Sequence, residues 1–219
     1  MDDQRDRVRR GYDALAEAYA AARSGDGDGV ALLSDLAANL PADARVLDAG
    51  CGQGAPVLTR LDERFDPVGL DVSRAQLTLA REACDAALLA GDMTALPFVD
   101  DSFDGVTAYH SLIHVPTDEH PTALAEFARV LRPGGSLLLS TGMGAWTGRN
   151  RDWLDTGVAM EWSFPDLETT KATLRDVGFD PVAEWYVEDR LGEDEDDGDE
   201  GATTDESVDP WVFVLARLD

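Results

Sequence analysis

The chain has 219 residues, of which 44% are hydrophobic, so it is long and apolar enough to build one α/β domain and is not intrinsically disordered. No apolar run reaches the roughly 20 residues that cross a bilayer, so no membrane-spanning helix is expected. The charged N-terminus lacks the apolar segment of a signal peptide. Cys51 and Cys84 are too few for a disulfide framework or a cysteine-based zinc site. We therefore expect a cytoplasmic protein with reduced thiols and no structural metal.

Acidic side chains outnumber basic ones by 44 to 18, which gives a formal net charge of -26, and Lys171 is the only lysine. A chain of this charge repels the phosphates of nucleic acids. Two explanations compete: an acidic surface that meets a basic partner, and adaptation to a salt-rich cytosol that screens self-repulsion. Because the acids are spread over the whole chain, the composition favours a halophilic protein. The net charge then says little about the substrate.

The predicted elements begin with two helices, at 5–23 and at about 30–39. Short apolar runs then alternate with helical patterns along the chain. The predicted strands lie at 45–48, 68–71, 87–90, 103–109 and 137–140, and the predicted helices begin at about 55 and span 74–84, 119–131 and 166–177. This alternation predicts a parallel sheet with helices on both faces.

Two further strands, at 179–189 and 210–218, end the chain without a helix between them. Strands joined without a crossover must pair antiparallel, so we predict a C-terminal hairpin. The acidic stretch 190–209 that joins them is predicted to be a solvated, mobile loop. All of these elements form a single domain over 1–219.

A glycine-rich turn follows the first predicted strand, in the run Val46-Leu47-Asp48-Ala49-Gly50-Cys51-Gly52-Gln53-Gly54. Such a turn lets the backbone approach a ligand closely at the carboxyl end of a sheet. Asp71 ends the next strand, where a carboxylate can accept hydrogen bonds from both ribose hydroxyls. These features fit any adenosine cofactor, since the loose dinucleotide pattern G-x-G-x-x-G/A is also satisfied. The glycines alone are equally explained by a tight strand-to-helix turn.

Four motifs together resemble the class I S-adenosylmethionine-dependent methyltransferases. They are Asp48-x-Gly50-x-Gly52-x-Gly54, Gly91-Asp92-Met93 with Leu96-Pro97-Phe98, Phe103-Asp104-Gly105-Val106, and Arg129-Val130-Leu131-Arg132-Pro133-Gly134-Gly135. The resemblance spans about 8–218 and is closest to the small-molecule branch that includes ubiquinone/menaquinone-type C-methyltransferases. It implies a Rossmann-like, mostly parallel seven-stranded sheet with an antiparallel C-terminal hairpin. It also implies methyl transfer from S-adenosyl-L-methionine to a small-molecule acceptor.

The same resemblance implies roles for residues of the cofactor site. Residues of the glycine turn would line the methionine part of the cofactor: Gly50, Cys51, Gly52 and Gly54. Asp48 would reach the cofactor's amino group, and Asp71 would hold the ribose hydroxyls. Val72 and Met93 would sandwich the adenine, with Asp92 accepting from its exocyclic amine. Tyr109 would lie where backbone carbonyls contact the methionine ammonium.

The first predicted helix carries Tyr12, Tyr19 and Arg23 at spacings of seven and four residues, so the three share one helix face. Related enzymes use a tyrosine-rich N-terminal helix as a lid, which here would comprise residues 1–40. Tyr19 would then contact the cofactor and Arg23 would meet its carboxylate. The alternative is the ordinary packing of an amphipathic helix.

Two histidines, His110 and His114, follow the fourth predicted strand and are the candidate catalytic residues. An activated methyl group mainly requires alignment and exclusion of water. A general base is needed only if the acceptor must lose a proton early, and imidazole suits that task at neutral pH. The resemblance favours His114, because related enzymes often carry a histidine there. Packing or loop-holding roles are the alternative, and His120 is expected to be merely exposed.

The segment 142–164 holds three of the five tryptophans, Trp146, Trp153 and Trp162. It is predicted to lie between strand five and its helix, on the ligand face of the sheet. These tryptophans are therefore candidates for binding the acceptor, and the segment for covering it. The alternative is a satellite hydrophobic cluster beneath a long loop.

Two other functions share parts of this pattern. An NAD-dependent oxidoreductase would share the glycine turn and Asp71, but Lys171 cannot complete a Tyr-x-x-x-Lys pair and the terminal hairpin is foreign to that fold. A non-catalytic cofactor-binding or interaction protein on the same fold is the second alternative, because fold does not guarantee reaction. The sequence shows neither a basic patch nor an amino-methylation motif, so it does not indicate a nucleic acid substrate.

Overall fold

The computed structural model describes residues 4–23, 28–188 and 210–219, and these form six α-helices and nine β-strands. The helices are α1 (Gln4–Ala22), α2 (Leu33–Ala38), α3 (Val57–Asp62), α4 (Arg74–Ala83), α5 (His120–Val130) and α6 (Leu167–Asp176). The strands are β1 (Arg45–Ala49), β2 (Asp66–Asp71), β3 (Ala87–Ala90), β4 (Phe103–Ala108), β5 (Leu131–Gly142), β6 (Trp146–Asn150), β7 (Met160–Phe164), β8 (Phe179–Val187) and β9 (Trp211–Leu218). Short 3₁₀ helices lie at Asp28–Leu32, Leu112–His114, Thr117–Glu119 and Trp153–Asp155.

Seven strands form one sheet in the order β3-β2-β1-β4-β5-β9-β8. Pairs among β1 to β5 are parallel, and β9 runs antiparallel to both β5 and β8. The predicted seven-stranded sheet with its C-terminal hairpin is therefore confirmed. Strand order reverses between β1 and β4, and in open α/β sheets a crevice forms outside the carboxyl ends of such strands. The fold thus places the glycine turn after β1 beside the segment after β4.

Hydrophobic clusters cover both faces of the sheet, because its central strands are apolar on both sides. One cluster joins β4 and β5 to α5 and α6 through residues such as Phe103, Phe127 and Leu174. The other joins β1 and β9 to α2 and α3 and includes Val46, Leu36 and Leu61. This double burial holds the carboxyl ends of β1, β2 and β4 rigidly in place.

A second, two-stranded sheet is formed by β6 and β7, within the segment 142–164 that was expected to be a cover. The sequence did not predict these strands. The side chains of β6 are mostly exposed, and Gly148 and Asn150 have weak strand propensity, so neither burial nor composition indicates a strand there. The hairpin is defined instead by its packing, since β7 contacts α1 and the turn Leu112–His114.

Two elements also differ from the sequence-based expectations. The helix expected at 30–39 is divided into a 3₁₀ turn and α2, and β5 begins at Leu131 rather than at 137. Tertiary pairing with β4 explains the longer strand, because Leu131 already pairs with Phe103 across a β-bulge. The acidic stretch predicted as a mobile loop, 190–209, lies outside the described residues.

Helix α1 packs across α4 and β7 and buries Val8, Gly11, Leu15 and Ala16. Its Asp13 accepts a hydrogen bond from Ser73 Oγ (2.7 Å), which joins α1 to the N-terminus of α4. Of the helices in the described ranges, none combines the length and apolar character needed to cross a membrane. The contacts of α1 with α4 and β7 place it to form one wall of the crevice above the sheet.

Candidate functional site

Two adjoining cavities open at the carboxyl ends of β1, β2 and β4. The larger has a volume of about 220 Å³ and the smaller about 80 Å³. Five residues line both of them: Tyr19, Gly50, Gly52, Tyr109 and His110. The two cavities therefore belong to one cleft, bounded below by the glycine turn and above by α1.

The glycine turn adopts left-handed backbone conformations at Gly50 (φ +85°), Gly52 (φ +53°) and Gly54 (φ +86°), which favour glycine. A Cβ on Gly50 would collide with Ser111, and a Cβ on Gly52 would project between Tyr19 and Gln76. Gly54 differs from its predicted role. It packs against Ala80 of α4, and neither of the two cavities has it in its wall.

Asp48 lines the larger cavity and is almost completely buried. Its Oδ1 accepts a hydrogen bond from Thr107 Oγ1 (2.7 Å), while Oδ2 has no hydrogen-bond partner among the described residues. Burial raises the pKa of Asp48 to about 7, although the Thr107 bond opposes the shift. A buried carboxylate with an unpaired oxygen at a cavity wall is suited to a cationic donor.

Asp71 lines the smaller cavity and connects the ends of β1 and β2. Its Oδ2 accepts from the backbone N–H of Gly52 (2.9 Å) and its Oδ1 from that of Ser73 (2.8 Å). Burial raises the pKa of Asp71 to about 6, against the lowering effect of these two bonds. Each carboxylate oxygen retains a lone pair with which it can accept from a ligand hydroxyl.

Val72, Met93 and Asp92 line the smaller cavity together, as predicted for an adenine site. Asp92 already has partners on both oxygens. Oδ1 accepts from the backbone and hydroxyl of Thr94 (both 2.8 Å), and Oδ2 accepts from Arg5 of α1 (3.0 Å). Arg5 therefore attaches the N-terminal helix to the part of the cleft that holds Asp92.

His114 is buried, and both of its ring nitrogens have neighbours within hydrogen-bond distance. Nδ1 lies 2.8 Å from the carbonyl oxygen of Glu161, which can only accept, so Nδ1 carries the proton. Nε2 is then the acceptor for the Tyr12 hydroxyl, also at 2.8 Å. Burial lowers the pKa of His114 to about 4, so the imidazole is neutral at physiological pH. The Tyr12 hydroxyl therefore already hydrogen-bonds the ring nitrogen that would otherwise be free to accept a proton.

His110 lines both cavities directly after β4 and has a left-handed backbone conformation (φ +48°). Its backbone N–H donates to Ser140 Oγ (2.6 Å), and its ring lies edge-on to Trp211 and Phe213, with centroids 5.0 and 5.6 Å away. Non-glycine residues in this conformation concentrate at functional sites because the surroundings must hold them there. His110 thus lies at the junction of the two cavities.

His120 was expected to be exposed, and that expectation is wrong. The side chain is 4% exposed, and Nε2 donates to the carbonyl of Val115 (3.0 Å). The residue begins α5 and holds the loop that follows the His114 turn. Its place beside Pro121 at a helix start suggested a surface position, but the tertiary contact with this loop buries the ring.

The aromatic side chains of α1 form a cluster with the tryptophans of the cover. Tyr12 and Tyr19 share one helix face, as predicted, and their rings are 5.2 Å apart. Trp153 packs against both of them, and Trp162 lies 5.1 Å from Trp153 and 5.6 Å from His114. The cluster forms one side of the cleft.

The three tryptophans lie behind the walls of the two cavities rather than in them. Trp153 and Trp162 support tyrosine and histidine rings that do line the smaller cavity. Trp146 is 47% exposed and stacks on Phe164, away from these rings. Acceptor binding by the tryptophans themselves stays a prediction.

Arg23 and Cys51 line the larger cavity, as the predicted cofactor roles require. Tyr109 also lies there, and its hydroxyl donates to the carbonyl of Gly29 (3.1 Å), which joins the segment after α1 to the sheet. The cavity walls also include residues that sequence reasoning did not assign to the site: Arg5, Gln53, Gln76 and Ser111. Two of these had a local signal: Gln53 lies within the glycine-rich run, and Gln76 follows the Ser73 cap of α4 by three residues.

The electrostatics of the cleft suit a cationic adenosine compound. Asp48, Asp71 and Asp92 place three carboxylates along its length. Asp48 has one carboxylate oxygen without a hydrogen-bond partner among the described residues. At position 52, any residue larger than glycine would fill the space between Tyr19 and Gln76. The ammonium and sulfonium groups of S-adenosylmethionine match this charge, whereas the pyrophosphate of a dinucleotide opposes it. The residues present therefore fit the cofactor that the motifs imply.

Part of the chain is similar to known methyltransferases. Residues 46–135 match the family described as methyltransferase domain. Demethylmenaquinone methyltransferase of Renibacterium salmoninarum is 43% identical over 97 residues, 44% of this chain and 40% of that protein. The O-methyltransferase rstn1 of Aspergillus nomiae is 39% identical over 106 residues, 44% of this chain and 45% of that one. The chain thus spans less than half the length of these curated relatives.

Solved structures are similar over nearly the whole chain. Magnesium protoporphyrin IX methyltransferase from Synechocystis, with bound S-adenosylmethionine, has a TM-score of 0.71 at 18% identity and covers 99% of this chain and 98% of its own. The [4+2]-cyclase SpnF has a TM-score of 0.71 at 22% identity and covers 96% and 94%. At these identities the similarity concerns the fold. Residues 46–135 thus match the methyltransferase domain family, and the fold is similar to that of a methyltransferase solved with bound S-adenosylmethionine.

Proposed function

We propose that this protein transfers a methyl group from S-adenosylmethionine to a small-molecule acceptor. The observation that carries the proposal is the buried carboxylate of Asp48, a residue of the larger cavity wall whose Oδ2 has no hydrogen-bond partner among the described residues. A cationic ammonium would satisfy this oxygen and favour its ionised form. Relatives named as demethylmenaquinone methyltransferase and O-methyltransferase support a small-molecule acceptor for this chain.

The cofactor would lie along the cleft, across both cavities. Arg23 would pair with its carboxylate and Asp48 with its ammonium at the larger cavity. Asp71 would accept from the ribose hydroxyls, and the adenine would lie between Val72 and Met93 at the smaller cavity. When bound, S-adenosylmethionine supplies a sulfonium methyl group whose leaving group is a neutral thioether.

The protein's own contribution would be alignment and exclusion of water. Helix α1 closes the cleft with Tyr12 and Tyr19, and the ion pair of Arg5 with Asp92 holds the helix in place. Positioning of this kind supplies a large part of the rate when the reacting group is already activated. The acceptor would enter the space between His110 and Tyr12, both of which line the smaller cavity.

Proton removal, where the acceptor needs it, would pass through Tyr12. The acceptor would give its proton to the Tyr12 oxygen while the Tyr12 proton moves to Nε2 of His114. Because burial lowers the pKa of His114 to about 4, holding that proton is unfavourable at neutral pH. We therefore propose His114 as an acceptor during transfer that also orients Tyr12, rather than as a resting base. His110, at the cavity junction, is the second candidate for contact with the acceptor.

A second function on the same fold is binding or catalysis without methyl transfer. One of the similar structures is described as a [4+2]-cyclase, so fold alone does not decide the reaction. The intact motif residues Asp48, Gly50, Gly52 and Asp71 in one cleft favour methyl transfer over this alternative.

Two experiments test the proposed function. Melting curves with S-adenosylhomocysteine and with NAD separate the cofactor classes, since a ligand at a hundred times its dissociation constant stabilises by about 2.7 kcal/mol. We expect stabilisation by S-adenosylhomocysteine only. Transfer of a labelled methyl group to a panel of quinols and phenols then tests the reaction. Stabilisation by NAD instead would refute the cofactor, and binding without transfer to any acceptor would favour the non-catalytic alternative.

We also propose that the protein works in a salt-rich cytosol. A formal net charge of -26 produces strong self-repulsion in dilute buffer. In molar salt the screening length falls to about 3 Å, so only contacting pairs still interact appreciably. Ion pairs such as Arg7–Glu161 (2.8 Å) and Arg129–Glu126 (2.7 Å) are close enough to persist under those conditions.

A further inference from the structure

Three aromatic rings lead from the cleft to the protein surface. The Trp211 ring lies edge-on to that of His110, a residue in the walls of both cavities, with centroids 5.0 Å apart. Phe164 lies 5.6 Å from Trp211, and Trp146 stacks on Phe164 at 6.0 Å. Trp211 and Phe164 are half-buried, and Trp146 is 47% exposed. These three rings, which we call the aromatic strip, therefore connect the junction of the two cavities with solvent.

The aromatic strip also adjoins the wall of the larger cavity and is closely packed. Trp211 pairs with Val187 of β8, which lines that cavity. On its other side Trp211 pairs with Gly142 of β5, where a Cβ would collide with the Phe164 ring. A Cβ on Gly148 would likewise collide with the ring at the outer end of the strip. The rings thus pack directly against backbone, which holds them in place at the surface.

The segment that carries the outer end of the strip is free of acidic residues. Residues 127–151 contain no aspartate or glutamate, although 44 of the 219 residues of the chain are acidic. On the facing strand β7, Glu161 is the single acidic residue and is paired with Arg7 (2.8 Å). Met143, directly after β5, is 42% exposed. An apolar group can cover this segment without removing water from a carboxylate of its own, and adjoining exposed apolar side chains mark binding surfaces.

We propose that the aromatic strip binds an apolar substituent of the methyl acceptor. The proposal rests on the proposed function, because it takes the reacting group of the acceptor to lie between His110 and Tyr12. A substituent that leaves the cleft at His110 meets Trp211 first, then Phe164 and finally Trp146. Aromatic faces bind alkyl chains and flat rings alike through apolar burial. The acceptor is then a compound with the methylated group at one end and an extended apolar group at the other.

The test measures how binding depends on the length of an alkyl chain. Calorimetry on the protein saturated with S-adenosylhomocysteine gives the dissociation constants of para-substituted phenols with butyl, hexyl, octyl or decyl chains, below the concentration at which they aggregate. Complete burial of a methylene improves affinity about fourfold, and a chain on an open surface buries about half of its area, so the gain should be about twofold per methylene. We therefore expect decylphenol to bind wild type about fourfold more tightly than octylphenol.

Trp146→Ser removes the outer ring of the strip. Butylphenol is too short to reach this ring and should bind the variant as it binds wild type, whereas the gain from octylphenol to decylphenol should disappear. Tyr186→Ser is the matched control, because Tyr186 is a similarly exposed aromatic residue on the opposite face of β8 from Val187. Its series should equal that of wild type, and melting curves without ligand check that both variants fold.

Photolabelling locates the chain in wild type without any substitution. A diazirine at the end of the decyl chain should label the segment 142–150, which mass spectrometry identifies. Labelling elsewhere, or a gain from octylphenol to decylphenol that persists in Trp146→Ser, would overturn the proposal. So would an oligomer in gel filtration that dissociates in Trp146→Ser, because a second copy of the chain would then cover the strip.

The same measurements separate this proposal from the proposed function. If wild type binds no S-adenosylhomocysteine, the proposed function fails and the role of the strip fails with it. If wild type binds S-adenosylhomocysteine but its affinity for the phenols does not change with chain length, only the role of the strip fails.

Discussion

Replacing Asp48 with asparagine should remove the pH dependence of cofactor binding. Burial raises the pKa of Asp48 to about 7 in the free protein, so the carboxyl is half protonated at neutral pH. A cationic ammonium at Oδ2 favours the ionised form, which lowers this pKa in the complex. Affinity is therefore highest above pH 7 and falls as the pH drops below it. Between pH 8 and pH 6 the dissociation constant should rise about tenfold, since each pH unit below the free pKa costs a factor of ten.

Asp48 is the main group that changes charge between pH 6 and 8, and Asp71 contributes only near the lower limit. The pKa of Asp71 is about 6 and that of His114 about 4, so both change charge mainly at or below the lower limit. Calorimetry with S-adenosylhomocysteine at constant ionic strength gives the affinities, and repeating it in buffers of different ionisation enthalpy counts the protons released. In Asp48→Asn we expect weaker binding at pH 8, by about 1.5–3 kcal/mol, and no slope between pH 7 and pH 8, where Asp71 stays ionised.

Stability provides an independent check on the same substitution. The raised pKa of Asp48 means that its favourable contribution is complete below about pH 4 and is lost as the pH rises through about 7. Asparagine carries no charge and can still accept from Thr107, so the free variant should be more stable than wild type at pH 8. The gain in the free energy of unfolding is at most about 4 kcal/mol, because the pKa of Asp48 rises from 3.8 to about 7 on folding. A wild-type affinity that is flat with pH, or a slope retained in Asp48→Asn, would refute the role of Asp48.

Three further predictions follow from the geometry of the cleft and from the charge. Tyr12→Phe removes the hydroxyl that bonds His114, so turnover at saturating substrates should fall roughly 10²-fold or more while affinity for S-adenosylhomocysteine is kept; unchanged turnover would exclude the proton path. Gly50→Ala meets Ser111 from a left-handed conformation and should lower stability by about 1–3 kcal/mol and weaken cofactor binding, whereas Gly144→Ala, with open space around it, should do neither in the same melting and binding assays. The melting temperature should rise from dilute buffer to molar KCl because salt screens the net charge of -26, and a flat or falling profile would contradict a halophilic protein.

The sequence alone determined the sheet and the lower wall of the site. Alternating apolar runs predicted the parallel strands, and the lack of a helical sequence pattern between the last two predicted strands predicted the antiparallel pair β8 and β9. The glycine turn, Asp48 and Asp71 were assigned correctly to the carboxyl ends of β1 and β2. These features are local, because hydrophobic period and turn chemistry are set by residues a few positions apart.

Only the tertiary structure decided which side chains complete the cleft. Tyr12 meets His114 across 102 positions of sequence, and Arg5 meets Asp92 across 87. The hairpin of β6 and β7 and the burial of His120 likewise depend on distant neighbours. Such contacts carry no local periodicity, since they arise from packing α1 and the 142–164 segment onto a sheet that is already formed. The sequence specified the glycine turn, and the packing of α1 brought Tyr12 onto His114 and enclosed the cleft.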